Sequence, residues 1–171
     1  MKSDEFRLIK PEELKDNVFK LIDKDWMLVT AGTHDNYNCM TASWGGFGIL
    51  WRKPVAFVFI RPNRHTYGFA ENNLRMSLCF FTEKHREILN LCGTQSGRDI
   101  DKMHIEGLTP LITGEGTTFY AEARMAVFVK KLYAGFIDKE LILEPAIHKL
   151  YNGNDYHKMY ICEIEKVMVK G

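Results

Sequence analysis

The segment Asn38–Gly48 carries the residue types that a flat ligand needs. It leaves a predicted strand with small and hydroxyl side chains and then turns through three glycines, where the backbone can approach a ligand without interference from a Cβ atom. Thr41 and Ser43 could hydrogen-bond the edge of a heteroaromatic ligand, and Trp44 offers a planar apolar surface beside it. The same residues also fit a glycine-rich turn against a packed tryptophan, and composition does not separate the two interpretations.

A basic segment, Ile60–Tyr67, suggests where an anion could bind. It ends a strongly apolar strand and presents Arg61, Arg64, His65 and Thr66 around a proline turn. Arginine forks and a hydroxyl near a helix N-terminus are a common way to hold phosphate. The alternative interpretation is a solvated basic turn at the end of a strand.

A second basic segment, Gly93–Lys102, could hold the same anion. Ser96 or the neighbouring backbone could open a helix over Arg98–Ile105, and this helix would carry Arg98 and Lys102 on one face. The alternative is a capped helix whose charged side chains form ordinary surface ion pairs, which contribute little to stability.

The last segment with chemical potential is Asp155–Tyr160, which leads into the final predicted strand. Its histidine, His157, is the candidate catalytic residue, because an imidazole titrates near neutrality and could stabilise charge or assist proton transfer. A structural histidine at the start of a strand is the alternative. The other histidines and the four cysteines lack the spacing of metal ligands, so we predict no metal site and expect buried, reduced thiols.

Length and charge limit the kind of protein that positions these residues. The chain has 171 residues and no linker or repeat, which predicts one domain over residues 1–171. Its formal net charge of +1 gives no field that would attract nucleic acid or an anionic membrane. The longest aliphatic and aromatic run, Val55–Ile60, is too short to span a membrane, and the charged N-terminus does not resemble a signal peptide. We therefore expect a cytoplasmic protein.

The predicted elements are mostly strands. Runs rich in β-branched and aromatic residues predict strands at Trp26–Ala31, Tyr37–Ser43, Val55–Arg61, Leu74–Phe81, Ala123–Phe136 and Met159–Val169. Helices are predicted from Pro11 to near Asp23 and over Thr66–Asn72, Glu83–Leu91 and Arg98–Ile105. The strands lack regular βαβ alternation, and neither GxGxxG nor GxxxxGK[ST] occurs. The pattern favours a mainly β protein, an antiparallel barrel with peripheral helices.

Taken in order, the motifs resemble the flavin reductase-like family of FMN-binding split barrels, in particular its flavoredoxin-type branch. The resemblance rests on NCMTASWGGFG at 38–48, IRPNRHT at 60–66, SGRDIDK at 96–102, GLTP at 107–110 and DYHKMY at 155–160. It spans nearly the whole chain. It implies a Greek-key split barrel that pairs into a homodimer, with tightly bound FMN near the subunit interface.

The resemblance also implies roles for individual residues. Around the isoalloxazine ring it implies Asn38, Met40, Thr41, Ala42, Ser43 and Trp44. Around the ribityl phosphate it implies Arg61, Arg64, His65, Thr66 and Lys102, with Ser96 and Arg98 close by. His157 and Tyr156 are then candidate neighbours of the open face of the ring.

Two functions follow from a flavin of this kind, which accepts hydride at N5 and gathers negative charge near N1 when reduced. One is a reductase in which NADH or NADPH reduces bound or free flavin. The other is a non-catalytic carrier whose FMN passes electrons between protein partners. A small-molecule-binding barrel without flavin is a third interpretation. The sequence does not choose between NADH and NADPH.

Overall fold

The computed structural model describes residues 6–151, 153 and 155–171. Ten strands dominate the described residues: β1 Phe6–Ile9, β2 Met27–Thr33, β3 Asn36–Ala42, β4 Gly45–Leu50, β5 Lys53–Ile60, β6 Arg75–Phe80, β7 Pro110–Ile112, β8 Thr118–Tyr120, β9 Met125–Phe136 and β10 Lys158–Lys170. All six predicted strands are present, with ends within two residues of the prediction. Their apolar and β-branched content matches a buried, pleated surface.

The main sheet is antiparallel and follows the order β3-β2-β6-β9-β10-β5-β4, with β1 added to β10. Strands β6, β9 and β10 lie side by side, and β5 crosses back to pair with the far side of β10, which is a Greek-key arrangement. Two register irregularities in β10 bend this long strand so that it serves three partners. The path ends at β3 and β4, which two residues join, so this is where the split of the barrel lies. The mainly β, split-barrel prediction is confirmed.

The strands bury both faces. Along β2, Met27, Val29 and Ala31 point into the barrel core, whereas Leu28 joins a second apolar cluster outside it. The outer cluster includes Leu89 and Cys92 of α3 (Arg86–Thr94), which covers that side of the sheet. All four cysteines are buried free thiols. Helix α3 is therefore fixed against the back of β2 and β3, next to the split.

Two helices agree with prediction and two do not. Helix α2 covers His65–Asn72, and a 3₁₀ turn at Glu83–His85 continues into α3. The single N-terminal helix is wrong: a 3₁₀ turn at Pro11–Glu13, α1 at Val18–Lys20 and a π-helical turn at Leu21–Asp25 replace it. The Asn17 side chain accepts the Lys20 amide and so starts a new helix within the predicted one.

The predicted helix over Arg98–Ile105 is also wrong, because this segment forms turns. The Ser96 hydroxyl accepts the Arg98 amide at 3.1 Å, and the Asp101 carboxylate accepts the Met103 amide at 2.9 Å. These local bonds satisfy the backbone in place of a helical ladder. A third correction concerns the glycines at 45, 46 and 48, which lie in strand β4 rather than in a turn.

Two 3₁₀ turns and one β-hairpin are the remaining elements of the described residues. The connection from β9 to β10 holds 3₁₀ turns at Lys139–Leu141 and Pro145–Leu150, and β7 and β8 form a separate hairpin. Among the described residues no helix is long and apolar enough to cross a membrane. We call the described residues that link β9 to β10, which are 137–151, 153 and 155–157, the strap.

Candidate functional site

Two adjoining cavities lie beside β3. The aromatic cavity, of about 200 Å³, is lined by Met40, Thr41, Ala42, Ser43, Trp44, Phe59, Arg61, Arg64, Gly93 and His157. The basic cavity, of about 240 Å³, is lined by Asn38, Met40, Asn63, Arg64, His65, Thr66, Thr94, Gln95, Ser96, Gly97 and Lys102. Met40 and Arg64 belong to both linings, so the two cavities together form one elongated site.

The link from β3 to β4 shapes the aromatic cavity. Gly45 begins β4 so close to β5 that a Cβ atom there would lie 2.8 Å from the Phe57 carbonyl oxygen. This close approach leaves Trp44 at the mouth of the cavity with 42% of its surface exposed. The Thr41 hydroxyl donates to the Leu89 carbonyl at 2.6 Å and thereby ties β3 to α3. The Thr41 oxygen can still accept a hydrogen bond from a ligand.

Arg61 lines the aromatic cavity and not the basic one, whereas the family resemblance implies a place for it beside the ribityl phosphate. Its guanidinium donates to Asp155 at 2.9 Å and to the Leu150 carbonyl at 2.8 Å. It also lies 4.9 Å from the Tyr151 ring and 6.0 Å from the Trp44 ring. These contacts fasten the strap to the end of β5, so Arg61 acts as a clamp in this geometry.

His157 reaches the aromatic cavity from the strap. Its ring lies 5.0 Å from that of Trp44 and edge-on to that of Phe59, and only 8% of the residue is exposed. Burial, followed by the positive charge of Arg61, lowers the pKa of His157 to about 4, although Asp155 opposes this. The pKa of His157 therefore lies well below the ordinary value for histidine, and the ring is neutral at pH 7.

Lys102 is the central cation of the basic cavity and is 4% exposed. Its ammonium donates to the Cys39 carbonyl at 3.1 Å and to the Cys92 carbonyl at 2.8 Å. An ammonium has three N–H groups, so one remains for a ligand. Burial lowers the pKa of Lys102, and an anion in the cavity would oppose that shift.

The Thr66 hydroxyl, the Asn38 carboxamide and the N-terminal end of α2 complete the basic cavity. The buried Thr66 oxygen accepts from the Asn38 carboxamide at 2.7 Å, which leaves the Thr66 hydroxyl proton for another acceptor. Helix α2 begins at His65, and its first N–H groups favour an anion. Burial and the charges of Arg98 and Lys102 lower the pKa of His65. The described residues that line this cavity include no carboxylate.

Arg64 lies between the two cavities. Its guanidinium donates to the Gly93 carbonyl at 2.8 Å, a bond that fixes it against the C-terminal end of α3. Burial and the nearby Arg61 lower the pKa of Arg64. Two close arginines and a buried lysine concentrate positive charge here, and an anion would relieve their mutual repulsion.

The structure separates the two cations of the 93–102 segment. Ser96 and Lys102 line the basic cavity. Arg98 lines a neighbouring cavity of about 440 Å³ and donates to the Asn63 carbonyl at 3.1 Å. Since the segment is a series of turns and not a helix, Arg98 and Lys102 do not share a helical face.

Several lining or supporting residues were not predicted individually, although all of them except Phe59 and Tyr151 lie inside the candidate segments: Phe59, Asn63, Gly93, Thr94, Gln95, Gly97, Tyr151 and Asp155. Gly97 could have been predicted as a site residue, since it lies inside Gly93–Lys102, a candidate anion-binding segment. A Cβ atom at Gly97 would lie 2.0 Å from Asn38 Oδ1 and 2.8 Å from His65 Cδ2. No group of three His, Cys, Asp or Glu side chains that could hold a metal occurs within the described part of the chain.

This protein is thus an antiparallel split β-barrel with one aromatic and one basic cavity beside β3. The chain belongs to the flavin reductase like domain family, which matches residues 20–171. The predicted family resemblance is therefore confirmed. No curated protein sequence matches this chain significantly.

Solved structures with the same fold share little sequence with the chain. Flavoredoxin of Desulfovibrio vulgaris (Miyazaki F) is 21% identical with a TM-score of 0.67, over 95% of this chain and 77% of that one. The FMN-binding protein of Thermus thermophilus with bound p-hydroxybenzaldehyde is 18% identical with a TM-score of 0.65, over 94% and 80%. An NADH:FAD oxidoreductase from Streptomyces globisporus is 12% identical with a TM-score of 0.62, over 85% and 75%.

Proposed function

We propose that this protein is an FMN-binding oxidoreductase in which the isoalloxazine ring lies in the aromatic cavity and the ribityl phosphate in the basic cavity. The observation that carries the proposal is the continuity of the two cavities through Met40 and Arg64. A planar ring and a dianion joined by a short chain need this combination of surfaces. Membership of the flavin reductase-like family supports the same cofactor.

The donors of the basic cavity fit a phosphate dianion. Lys102 and Thr66 each keep one proton that no described residue accepts, and Arg64 adds a second positive charge. A buried dianion needs this compensation, because its desolvation is otherwise costly. Arg61 is assigned to the strap and to the ring side, where its charge favours electron density on a reduced ring.

When bound, FMN supplies a hydride acceptor at N5. The chain then has to orient the ring, limit access of water and keep a reductant in line. Trp44 supplies a flat surface at the cavity mouth, and His157 supplies a neutral polar edge within it. We propose NADH or NADPH as the reductant that stacks on the open face of the ring, and a homodimer located in the cytoplasm as the functional form.

A second function, an electron carrier between protein partners, is favoured by one observation. The strap, whose His157 lines the aromatic cavity, exposes Leu141, Leu143 and Leu150, and Leu143 is 95% exposed. Exposed apolar side chains on a segment that also contributes to a redox site suit a transient protein contact. In that case electrons would enter and leave through proteins and not through a nicotinamide.

Absorbance separates these functions. We expect purified protein reconstituted with FMN to show a bound-flavin band near 450 nm, and the band to bleach within seconds when NADH or NADPH is added without oxygen. Absence of flavin binding would overturn the proposal as a whole. Binding without bleaching by either nicotinamide would overturn the reductase and leave the carrier.

A further inference from the structure

Tyr151 contacts His157, the histidine that lines the aromatic cavity. Its hydroxyl oxygen lies 3.0 Å from His157 Nδ1, and the two rings meet edge to face. The Tyr151 ring stacks on Tyr156 at 4.3 Å and lies under the Arg61 guanidinium. Contacts on both sides of the ring hold the hydroxyl in line with the imidazole.

The proton arrangement of this pair follows from its burial. Burial lowers the pKa of His157 to about 4 and raises the pKa of Tyr151, so at neutral pH the imidazole is neutral and the phenol is protonated. A neutral imidazole carries one N–H, on either Nδ1 or Nε2. If Nδ1 carried it, the phenol proton would have no acceptor among the described residues. The Tyr151 hydroxyl therefore donates to Nδ1, and the imidazole proton lies on Nε2.

We propose that Tyr151 is a positioning residue that fixes His157 as its Nε2–H tautomer, so that the imidazole presents a neutral hydrogen-bond donor to the aromatic cavity. Nε2 has no partner among the described residues, and His157 lines this cavity. The ligand class that this donor selects is an uncharged acceptor such as a carbonyl or carboxamide oxygen. This choice of ligand rests on the proposed function, whereas the tautomer does not.

The chain offers a matched control. Tyr156 donates to or accepts from His148 Nδ1 at 2.7 Å, in the same kind of phenol–imidazole pair, and stacks on the same Tyr151 ring. Tyr151→Phe removes the hydroxyl that faces His157 and keeps the ring. Tyr156→Phe removes an equivalent hydroxyl that faces another histidine. A general effect of losing a phenol on the strap would appear in both variants.

Long-range ¹H–¹⁵N correlation spectra of the flavin-free protein, with ¹⁵N-labelled histidine, report the tautomer directly. We expect His157 to be protonated on Nε2 in the wild-type protein and in Tyr156→Phe, and to become a mixture of tautomers in Tyr151→Phe. An Nδ1–H form in the wild-type protein, or an unchanged pattern in Tyr151→Phe, would overturn the inference. Neither result depends on flavin binding.

The rate of flavin reduction then tests whether His157 acts as a hydrogen-bond donor in the aromatic cavity. We expect anaerobic reduction of bound FMN by the nicotinamide to slow about 3- to 10-fold in Tyr151→Phe, the size of one neutral hydrogen bond. Flavin content should stay full, and Tyr133→Phe, which removes the hydroxyl of an exposed tyrosine that lines neither cavity, should react at the wild-type rate. His157→Gln, which keeps an N–H donor, should retain more activity than His157→Ala. An unchanged rate in Tyr151→Phe would overturn the donor role. Failure to bind FMN at all would overturn the proposed function and leave the tautomer assignment standing.

Discussion

The basic and the aromatic cavity are neighbours, but they are held in different ways. Lys102 and Thr66 in the basic cavity are buried and tied to backbone carbonyls or to Asn38 within the barrel body. The aromatic cavity has one wall, at His157, that belongs to the strap and depends on the Arg61 clamp. The basic cavity is therefore preorganised for binding, whereas the aromatic cavity can be altered without disturbing the barrel.

The largest expected effect comes from filling the basic cavity. In Gly97→Ala the new methyl group would overlap Asn38 Oδ1 and displace the carboxamide that bonds Thr66. We expect FMN affinity to fall about 100-fold, the upper range for such overpacking, as measured by calorimetric titration. In Gly114→Ala, where a Cβ atom meets nothing within 4 Å, affinity should be unchanged. Equal affinity in the two variants would show that this cavity does not hold the ligand.

A second prediction concerns acid stability on the aromatic side. Because the folded-state pKa of His157 is depressed to about 4, the unfolded chain binds more protons than the folded chain between pH 4 and 6.5. The free energy of unfolding therefore falls as the pH drops through this window, by about 2 kcal/mol after allowance for the open cavity. Urea unfolding at pH 4.5 and 7 should show a smaller difference in His157→Gln than in the wild type. An equal difference would contradict the neutral, buried state of His157.

The third prediction tests the clamp. Arg61→Lys keeps the charge but loses the fork that binds Asp155 and Leu150. We expect hydrogen exchange in residues 139–151 to accelerate about 10-fold, the loss of one charged hydrogen bond, while FMN affinity changes little. Arg75→Lys is the control for the exchange rates of residues 139–151, since Arg75 forms a similar fork with Glu165 on another part of the sheet. A loss of FMN affinity without faster exchange would place Arg61 on the phosphate instead.

The strands and the motif segments could be predicted because each signal is local. Runs rich in β-branched and aromatic residues predict β2 and β3, and the composition of 60–66 predicts a basic turn without reference to the rest of the chain. The position of Arg61 could not be predicted, because its partners Leu150 and Asp155 lie about 90 residues further along the chain. The same holds for Tyr151, whose role depends on how the strap folds back. The helix predicted at 98–105 does not form, because the side chains of Ser96 and Asp101 accept hydrogen bonds from nearby backbone amides.

The central claim is that ring and phosphate occupy different cavities, and ligand pairs with and without the phosphate test it most directly. The measurement is the affinity of FMN and of riboflavin for the wild-type protein, Lys102→Met and Trp44→Ala. We expect Lys102→Met to weaken FMN about 10- to 100-fold and to leave riboflavin nearly unchanged, as the loss of one charged hydrogen bond implies. Trp44→Ala should weaken both ligands by the same factor. Equal losses of FMN and riboflavin in Lys102→Met would contradict the account.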